Sequence, residues 1–132
     1  MRLVLPVFFL FFLLPGCKKT IEKQKENLIV EAMTDGKWKV ASFTDDSSDL
    51  TSSFSGYSFQ YYENRTVDAF QSGTLDKSGT WTEDIDNLNI SANFAGVSNP
   101  LALINGTWHI EESDWVYVIA SQGNKLMRLE KI

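Results

Sequence analysis

The side chains best suited to acid–base or metal chemistry are few, and their spacing favours no catalytic set. His109 is the only histidine of the chain. It alternates with Trp108 and Ile110 in a strand-like stretch, so we expect its side chain on the outer face of that strand. Glu111 and Glu112 would point to opposite faces of the same strand, which does not suit a paired acid and base.

A second acidic group follows the first predicted strand. Asp45, Asp46 and Asp49 could gather a cation, but their spacing does not match an EF-hand loop, and we interpret them as a solvated loop. The sequence also contains no glycine-rich phosphate loop, serine elbow or HExxH motif. We therefore predict no catalytic residue, no metal site and no cofactor, and we expect that the protein is not an enzyme.

The only cysteine, Cys17, follows a strongly apolar segment. Residues 3–14 are apolar apart from Pro6, and the basic Arg2 precedes them. This run is shorter than the roughly 20 residues that span a bilayer, and it suits the central part of a secretory signal. A single thiol also excludes an internal disulfide and a site built from several thiolates.

Residues 14–17, LPGC, resemble the lipobox of bacterial lipoproteins. The resemblance implies that residues 1–16 are a cleaved signal peptide and that the Cys17 sulfur carries a lipid. At least two acyl chains, such as palmitate, would anchor the protein stably, because one chain holds only marginally. Lys18 rather than aspartate follows the cysteine, and in the lipoproteins that this segment resembles the lack of aspartate there permits sorting to the outer membrane of the cell envelope, on either face. A secreted protein with an idle thiol is the alternative.

The rest of the chain predicts a short helix and one acidic domain. Within residues 17–35 apolar side chains recur at helical spacing up to Met33, and Gly36 ends the pattern. We interpret residues 17–35 as the lipidated cysteine, a tether and a short helix, and residues 36–132 as one domain. The formal charge of −5, which loss of Arg2 makes more negative, argues against a nucleic-acid partner.

From Gly36 onward, short strand-like stretches alternate with turn residues. In residues 87–94 the alternation places Leu88, Ile90, Ala92 and Phe94 on one buried face. The pattern predicts an all-β fold, an eight-stranded antiparallel meander barrel preceded by the short N-terminal helix. The eight stretches are GKWKVASF, GYSFQYYE, TVDAFQ, GTWTEDI, NLNISANF, INGTWHIE, DWVYVIAS and KLMRLEKI, with residues 95–103 as the longest late loop.

Gly36 and Trp38, at the start of the first strand, resemble the G-x-W signature of lipocalins. The resemblance implies that Trp38 closes one barrel end and that Arg128, in the last strand, lies across its ring. With SGTW at residues 78–81, a later LINGTW element at residues 103–108 and a terminal strand that begins KLMRL, the chain is more similar to the small lipocalin-like domains of bacterial lipoproteins. We interpret each Gly-Thr-Trp as structural, with glycine at a bend where a strand begins and tryptophan in the core.

Two functions are compatible with this sequence. In the first, the barrel is a membrane-anchored, non-catalytic module that binds a small apolar ligand at its mouth. In the second, the barrel is filled, and a structural or interaction lipoprotein binds a protein or glycan through its outer face or loops. The first hypothesis assigns the ligand to inward aromatic side chains, namely Trp38, Tyr57, Phe59, Tyr61, Trp81, Phe94 and Trp108.

Residues 115–120 are apolar on both faces of their predicted strand. Together with the aromatic stretch GYSFQYY at residues 56–62, this run offers more apolar surface than one small interior can cover. We expect the N-terminal helix to cover the outer face of this strand. An exposed aromatic patch for a partner is the alternative.

Overall fold

One antiparallel sheet contains almost all the regular structure of the described chain. A computed structural model describes residues 27–132, so the signal segment, Cys17 and the start of the tether lie outside the described residues. Helix α1 covers residues 27–34 of the described part, α2 covers Leu101–Ile104, and a 3-10 helix covers Thr51–Phe54. The strands are β1 (Lys37–Asp45), β2 (Ser48–Asp49), β3 (Tyr57–Tyr61), β4 (Thr66–Gln71), β5 (Thr74–Asp84), β6 (Asn89–Asn93), β7 (Gly106–Ser113), β8 (Tyr117–Gln122) and β9 (Lys125–Lys131).

Eight of these strands close into a barrel. Each of β3 to β8 pairs antiparallel with the next strand, β3 also pairs with β1, and β9 returns to β1 from Trp38↔Lys131 to Asp45↔Lys125. The two-residue β2 only extends the edge of β1. Closure satisfies the backbone groups that an open sheet edge would expose. The predicted eight-stranded antiparallel barrel with a preceding short helix is confirmed.

Three details differ from the sequence-based expectation. Strand β5 begins at Thr74, so Gly79 lies inside this strand and not at a bend. Leu88 is exposed because it lies in the β5–β6 turn with φ +53°, ahead of the alternating part of β6. Residues 101–104 form α2 within the predicted loop, where Leu101 and Ile104 are buried.

Gly79 is required by a close approach of two strands. A Cβ atom at this position would lie 2.4 Å from the Asn93 carbonyl oxygen and 2.9 Å from the Phe94 ring. Real Cβ atoms do not approach backbone oxygen so closely, so only glycine fits without a shift of β6. The first Gly-Thr-Trp therefore permits tight packing at this point, and Trp81 two residues later is buried.

The two ends of the barrel are closed differently. At the end where β6 connects to β7, called the α2 end, the buried side chains of α2 and Phe54 close the interior. Phe54 packs against Phe43, with ring centroids 5.1 Å apart. The carbonyl of Ile104 accepts a hydrogen bond from the Trp108 indole at 2.8 Å. This end is therefore packed with side chains and fixed to the core by a polar contact.

At the opposite end, called the α1 end, the last turn of α1 is fastened to the barrel. The Trp38 indole donates to the Met33 carbonyl at 3.0 Å. The Lys131 amine donates to the carbonyls of Ala32, at 2.6 Å, and of Asp35, and it lies 4.3 Å from the centre of the Trp38 ring. These contacts satisfy carbonyls that a helix C-terminus leaves without a partner.

The resemblance implied that Arg128 lies over the ring of Trp38, but the cation there is Lys131. Arg128 instead lies 4.4 Å from the centre of the Tyr117 ring and pairs with Glu130 at 2.7 Å. The register explains the difference, because Trp38 pairs with Lys131 across β1 and β9, whereas Arg128 pairs with Ser42. Gly36, with φ +79°, makes the turn from α1 into β1.

Candidate functional site

Most of the aromatic residues predicted to bind a ligand are packed inside the barrel. Tyr57 is half-buried, and the other six are at most 4% exposed. The cavity that remains among the core side chains measures about 20 Å³, room for about one water molecule. The buried six are Trp38, Phe59, Tyr61, Trp81, Phe94 and Trp108.

Aromatic contacts and satisfied polar atoms account for this filled interior. The rings of Tyr61 and Trp81 meet edge to face at 5.5 Å, and Phe59 and Phe94 lie 6.3 Å apart. Such geometries add to the stabilisation gained from apolar burial. The Trp81 indole donates to the Tyr62 carbonyl at 2.9 Å. Since the indole N–H groups of the three buried tryptophans have partners within the protein, the packed arrangement needs no ligand to complete it.

The structure instead provides an apolar cleft of about 240 Å³ at the α1 end. One wall is α1 and the other consists of residues from β6, β7, β8 and the β7–β8 turn. Its polar side chains, Ser113 and Asp114, come from the end of β7 and that turn. The complete lining is Leu28, Ile29, Ala32, Met33, Ile90, Ile110, Ser113, Asp114, Trp115 and Val118.

The cleft and the small internal cavity are neighbours. Met33, Ile90 and Val118 line both of them, so these three side chains form the floor of the cleft and the roof of the cavity. Tyr61 lines the cavity below, and its burial raises the pKa of its hydroxyl above the usual 10.0. The phenol therefore stays neutral, which is compatible with its apolar surroundings.

The position of α1 determines the width of the cleft. Leu28, Ile29 and Ala32 reach the cleft from α1, whose last carbonyls bind Trp38 and Lys131. Partial burial lowers the pKa of the Lys131 amine, and the carboxylate of Asp35 opposes that shift. Contacts at the C-terminal end of α1 thus hold one wall of the cleft in place.

The β7–β8 turn supplies the other side of the cleft opening. Trp115 and Val116 precede β8 and are exposed, whereas Val118 and Ala120 within the strand are buried. Helix α1 lies at the barrel mouth, across the cleft from Trp115 and Val118, and the cleft lining includes no outward-facing residue within β8. The surplus apolar surface noted in the sequence therefore belongs to the rim of the cleft.

The candidate catalytic groups remain separate on the surface. His109 is exposed, as predicted, with Nδ1 3.3 Å from Asn89 Oδ1. The Glu112 carboxylate accepts a hydrogen bond from Tyr117. Asp49 accepts hydrogen bonds from the side chain and backbone of Thr51, which lower its pKa. Within residues 27–132 no three His, Cys, Asp or Glu side chains gather into a metal site.

Sequence reasoning identified part of the cleft but not its assembly. The helical pattern up to Met33 marked the α1 wall, and the two-faced stretch from Trp115 marked the β8 side. No sequence signal paired them, because the packing of α1 across the mouth depends on the long-range hydrogen bond from Lys131 to the Ala32 carbonyl.

Across the described part of the chain, no helix is both long and apolar enough to traverse a bilayer.

Solved structures share this architecture at low sequence identity. A DUF4847 family protein from Bacteroides vulgatus matches with TM-score 0.57 and 13% identity, over 77% of this chain and 96% of that one. A lipocalin-like protein from Bacteroides uniformis matches with TM-score 0.57 and 12% identity, over 75% and 98%. An uncharacterized protein from Bacteroides eggerthii matches with TM-score 0.55 and 13% identity, over 74% and 98%.

Neither a protein-family model nor a curated protein sequence matches the chain. The structural similarity shows that the fold is lipocalin-like, and such barrels suit binding functions in general.

Proposed function

We propose that this protein is a membrane-anchored, non-catalytic binding module that takes a small apolar group in the cleft at its α1 end. The observation that carries the proposal is the contrast between a filled interior and an apolar cleft of about 240 Å³ at the mouth. Ligand sites are usually concave and apolar with a few polar groups at defined positions. Asp114 and Ser113 supply such groups here.

The size of the cleft limits the ligand class. Small-molecule sites commonly measure about 300–1,000 Å³, so this cleft suits one acyl-chain segment or one ring and not a large cofactor. Binding would derive mainly from apolar area removed from water, at about 25 cal/mol per Å². The ligand would contact Met33, Ile90 and Val118, whereas the buried aromatic residues would support the floor from below.

Anchoring through the N-terminus is the second part of the proposal. The lipobox-like LPGC and the preceding apolar run support cleavage before Cys17 and attachment of acyl chains to its sulfur. Two or more chains would hold the protein stably at the membrane, and Lys18 supports the outer membrane as the destination. The anchor would keep the domain in the cell envelope on either face of that membrane.

The filled interior favours a second candidate function. If the cleft takes no small molecule, the barrel would be an interaction lipoprotein that binds a protein or glycan through its loops or outer face. Packing around Trp108 and Phe59 leaves no room for a ligand inside the barrel, which is compatible with binding through the outer face or loops. The two candidates differ in whether a small molecule competes for the cleft.

Native mass spectrometry of the chain from Cys17 onward tests the proposal. A small apolar molecule that co-purifies and leaves on denaturation would support it, and its mass would identify the ligand class. A panel of fatty acids and heme is then titrated while the fluorescence of Trp115 at the cleft rim is recorded. A bare mass together with unchanged fluorescence across the panel would reject the small-molecule function in favour of the interaction lipoprotein.

A variant that fills the cleft makes this test specific. Ala32→Phe places a ring between α1 and the barrel, and we expect at least about a tenfold loss of affinity, equivalent to about 1.4 kcal/mol. Ala95→Phe adds the same bulk at an exposed loop position outside the cleft lining and should bind as the wild type does. Equal affinity in both variants would place the ligand elsewhere.

A further inference from the structure

Exposed apolar side chains are concentrated at the α1 end of the barrel. Among the described residues seven large hydrophobic side chains are exposed, and five of them lie at this end. The remaining two, Leu75 and Leu126, lie toward the α2 end. We call the five the apolar rim, and they are Leu28, Leu88, Trp115, Val116 and Ile132.

Backbone and cleft contacts connect the members of the apolar rim. Leu28 and Trp115 line the same cleft. The Leu88 carbonyl accepts a hydrogen bond at 2.7 Å from the amide of Ile110, which also lines that cleft. On the other side the Val116 carbonyl accepts from the amide of Lys131, next to Ile132. The five residues therefore lie around the same end of the barrel, near the cleft opening.

The N-terminal tether joins the domain at the end that carries the apolar rim. About ten residues separate Cys17 from the described start of α1, and even fully extended they would reach at most about 36 Å. They join the domain at its α1 end, one residue before Leu28. The α2 end lies farther away by the height of the barrel, about 20–25 Å for tilted strands of this length. A lipid on Cys17 would thus hold the apolar rim close to the bilayer.

The side chains of the rim suit the boundary between lipid and water. Trp115 combines a large apolar ring with an N–H donor, the composition that favours membrane interfaces. Asp86 and Asp114 lie in the same turns as Leu88 and Trp115, so anionic headgroups would be repelled. The cationic Lys131 next to Ile132 is held by the carbonyls of Ala32 and Asp35, so the carboxylates of these turns favour a zwitterionic lipid surface.

We infer that the apolar rim is a membrane-docking surface, which seats the α1 end on zwitterionic lipid so that the cleft opens toward the bilayer. This inference rests on the anchoring part of the proposed function, since the anchor supplies the high local concentration of lipid next to the α1 end. It adds a partner, the bilayer surface, and a route by which an apolar ligand could enter the cleft without crossing water.

The experiment uses the single thiol of the protein. The chain from Cys17 onward is coupled to a maleimide lipid in phosphatidylcholine vesicles, with or without bromine on the acyl chains, and tryptophan emission is recorded. Trp38, Trp81 and Trp108 are at most 2% exposed, whereas Trp115 is 48% exposed. We expect brominated lipid to quench emission, and Trp115→Phe to abolish that quenching. Undiminished emission in brominated vesicles would overturn the inference.

Matched serine variants test which end docks. Leu28→Ser with Val116→Ser removes apolar rim area and should abolish most of the quenching, whereas Leu75→Ser with Leu126→Ser, at comparably exposed sites, should leave it unchanged. Circular dichroism verifies that each pair is folded. Equal quenching in both pairs would contradict docking through the apolar rim. A shift of Trp115 emission that depends on protein concentration in the absence of vesicles would reveal a second copy on the rim, and it would also contradict docking on lipid.

Lipid composition and native lipidation provide the final comparison. Quenching should weaken when phosphatidylglycerol replaces part of the phosphatidylcholine, and stronger quenching on anionic vesicles would contradict the assigned lipid preference. Because the maleimide supplies the anchor, this assay does not depend on natural acylation. The mass of the N-terminal peptide from native membranes tests acylation of Cys17 separately, so failure of anchoring and failure of docking are distinguishable.

Discussion

Replacement of Lys131 by methionine is expected to loosen α1 from the barrel. The Lys131 amine donates to the carbonyls of Ala32 and Asp35 at the end of α1, and it lies 4.3 Å from the centre of the Trp38 ring. Methionine keeps an aliphatic stem of similar length and removes the charge and the donors. The change therefore tests the polar part of this contact without opening a large cavity.

The expected loss follows from three contributions. The cation–π contact contributes about 1 kcal/mol in a partly solvated setting. The favourable position of a cation at the helix C-terminus contributes about 0.5 kcal/mol. Hydrogen bonds to the two carbonyls add about 0.5 kcal/mol, because water can replace the amine at this partly exposed site. The sum is about 2 kcal/mol, which corresponds to a fall in Tm of about 8 °C for a domain of this size.

Urea denaturation and hydrogen exchange measure this effect. We expect a lower urea midpoint and faster exchange of the α1 amides in Lys131→Met. Arg128→Met is the matched control, since Arg128 contacts Tyr117 and the half-exposed Glu130, and such a pair contributes about 0.5 kcal/mol or less. If Arg128→Met destabilised the protein more than Lys131→Met did, the assignment of Lys131 as the cation over Trp38 would be refuted.

Two further predictions concern the core. Burial raises the pKa of Tyr61 above 10.0, so the stabilisation from its neutral phenol is complete below pH 10 and is lost above it, by up to about 1.4 kcal/mol per pH unit. Tyr61→Phe should therefore flatten the decline of the urea midpoint between pH 10 and 11.5. An unchanged slope in this variant would contradict the prediction. Gly79→Ala should lower the free energy of unfolding by about 1–3 kcal/mol, because the new Cβ would lie 2.4 Å from the Asn93 carbonyl oxygen. A Tm within 2 °C of the wild type, which corresponds to a loss of about 0.5 kcal/mol or less, would show that β6 shifts freely.

The barrel could be predicted from sequence because its signals are local. Alternation in residues 89–94 and turn residues between the strand-like stretches determine which side chains face inward, and closure then satisfies every strand edge. The failures were also local in cause. Leu88 continues the alternating pattern but takes φ +53° in a turn, and Gly79 resembles a bend residue while serving a contact with Asn93.

The candidate site was less predictable because its parts are distant in sequence. Lys131 and Ala32 are 99 residues apart, and their hydrogen bond helps to place α1 over the mouth. The choice between Lys131 and Arg128 over Trp38 depends on the β1–β9 register, which includes an irregularity between Val40 and Ser42. A one-residue slip reverses the face that a side chain occupies, so composition alone could not settle it.

A filled barrel and a binding function are compatible only if the binding site lies outside the interior. An eight-stranded barrel has space for either packed side chains or one small ligand, and here the aromatic residues occupy it. The same packing supports the floor of the cleft, because the core residues beneath Met33 and Val118 leave a cavity of only about 20 Å³. One wall of the cleft is α1, which Trp38 and Lys131 hold. Lys131→Met should therefore weaken both the attachment of α1 to the barrel and the affinity of the cleft for its ligand, although Lys131 itself does not line the cleft.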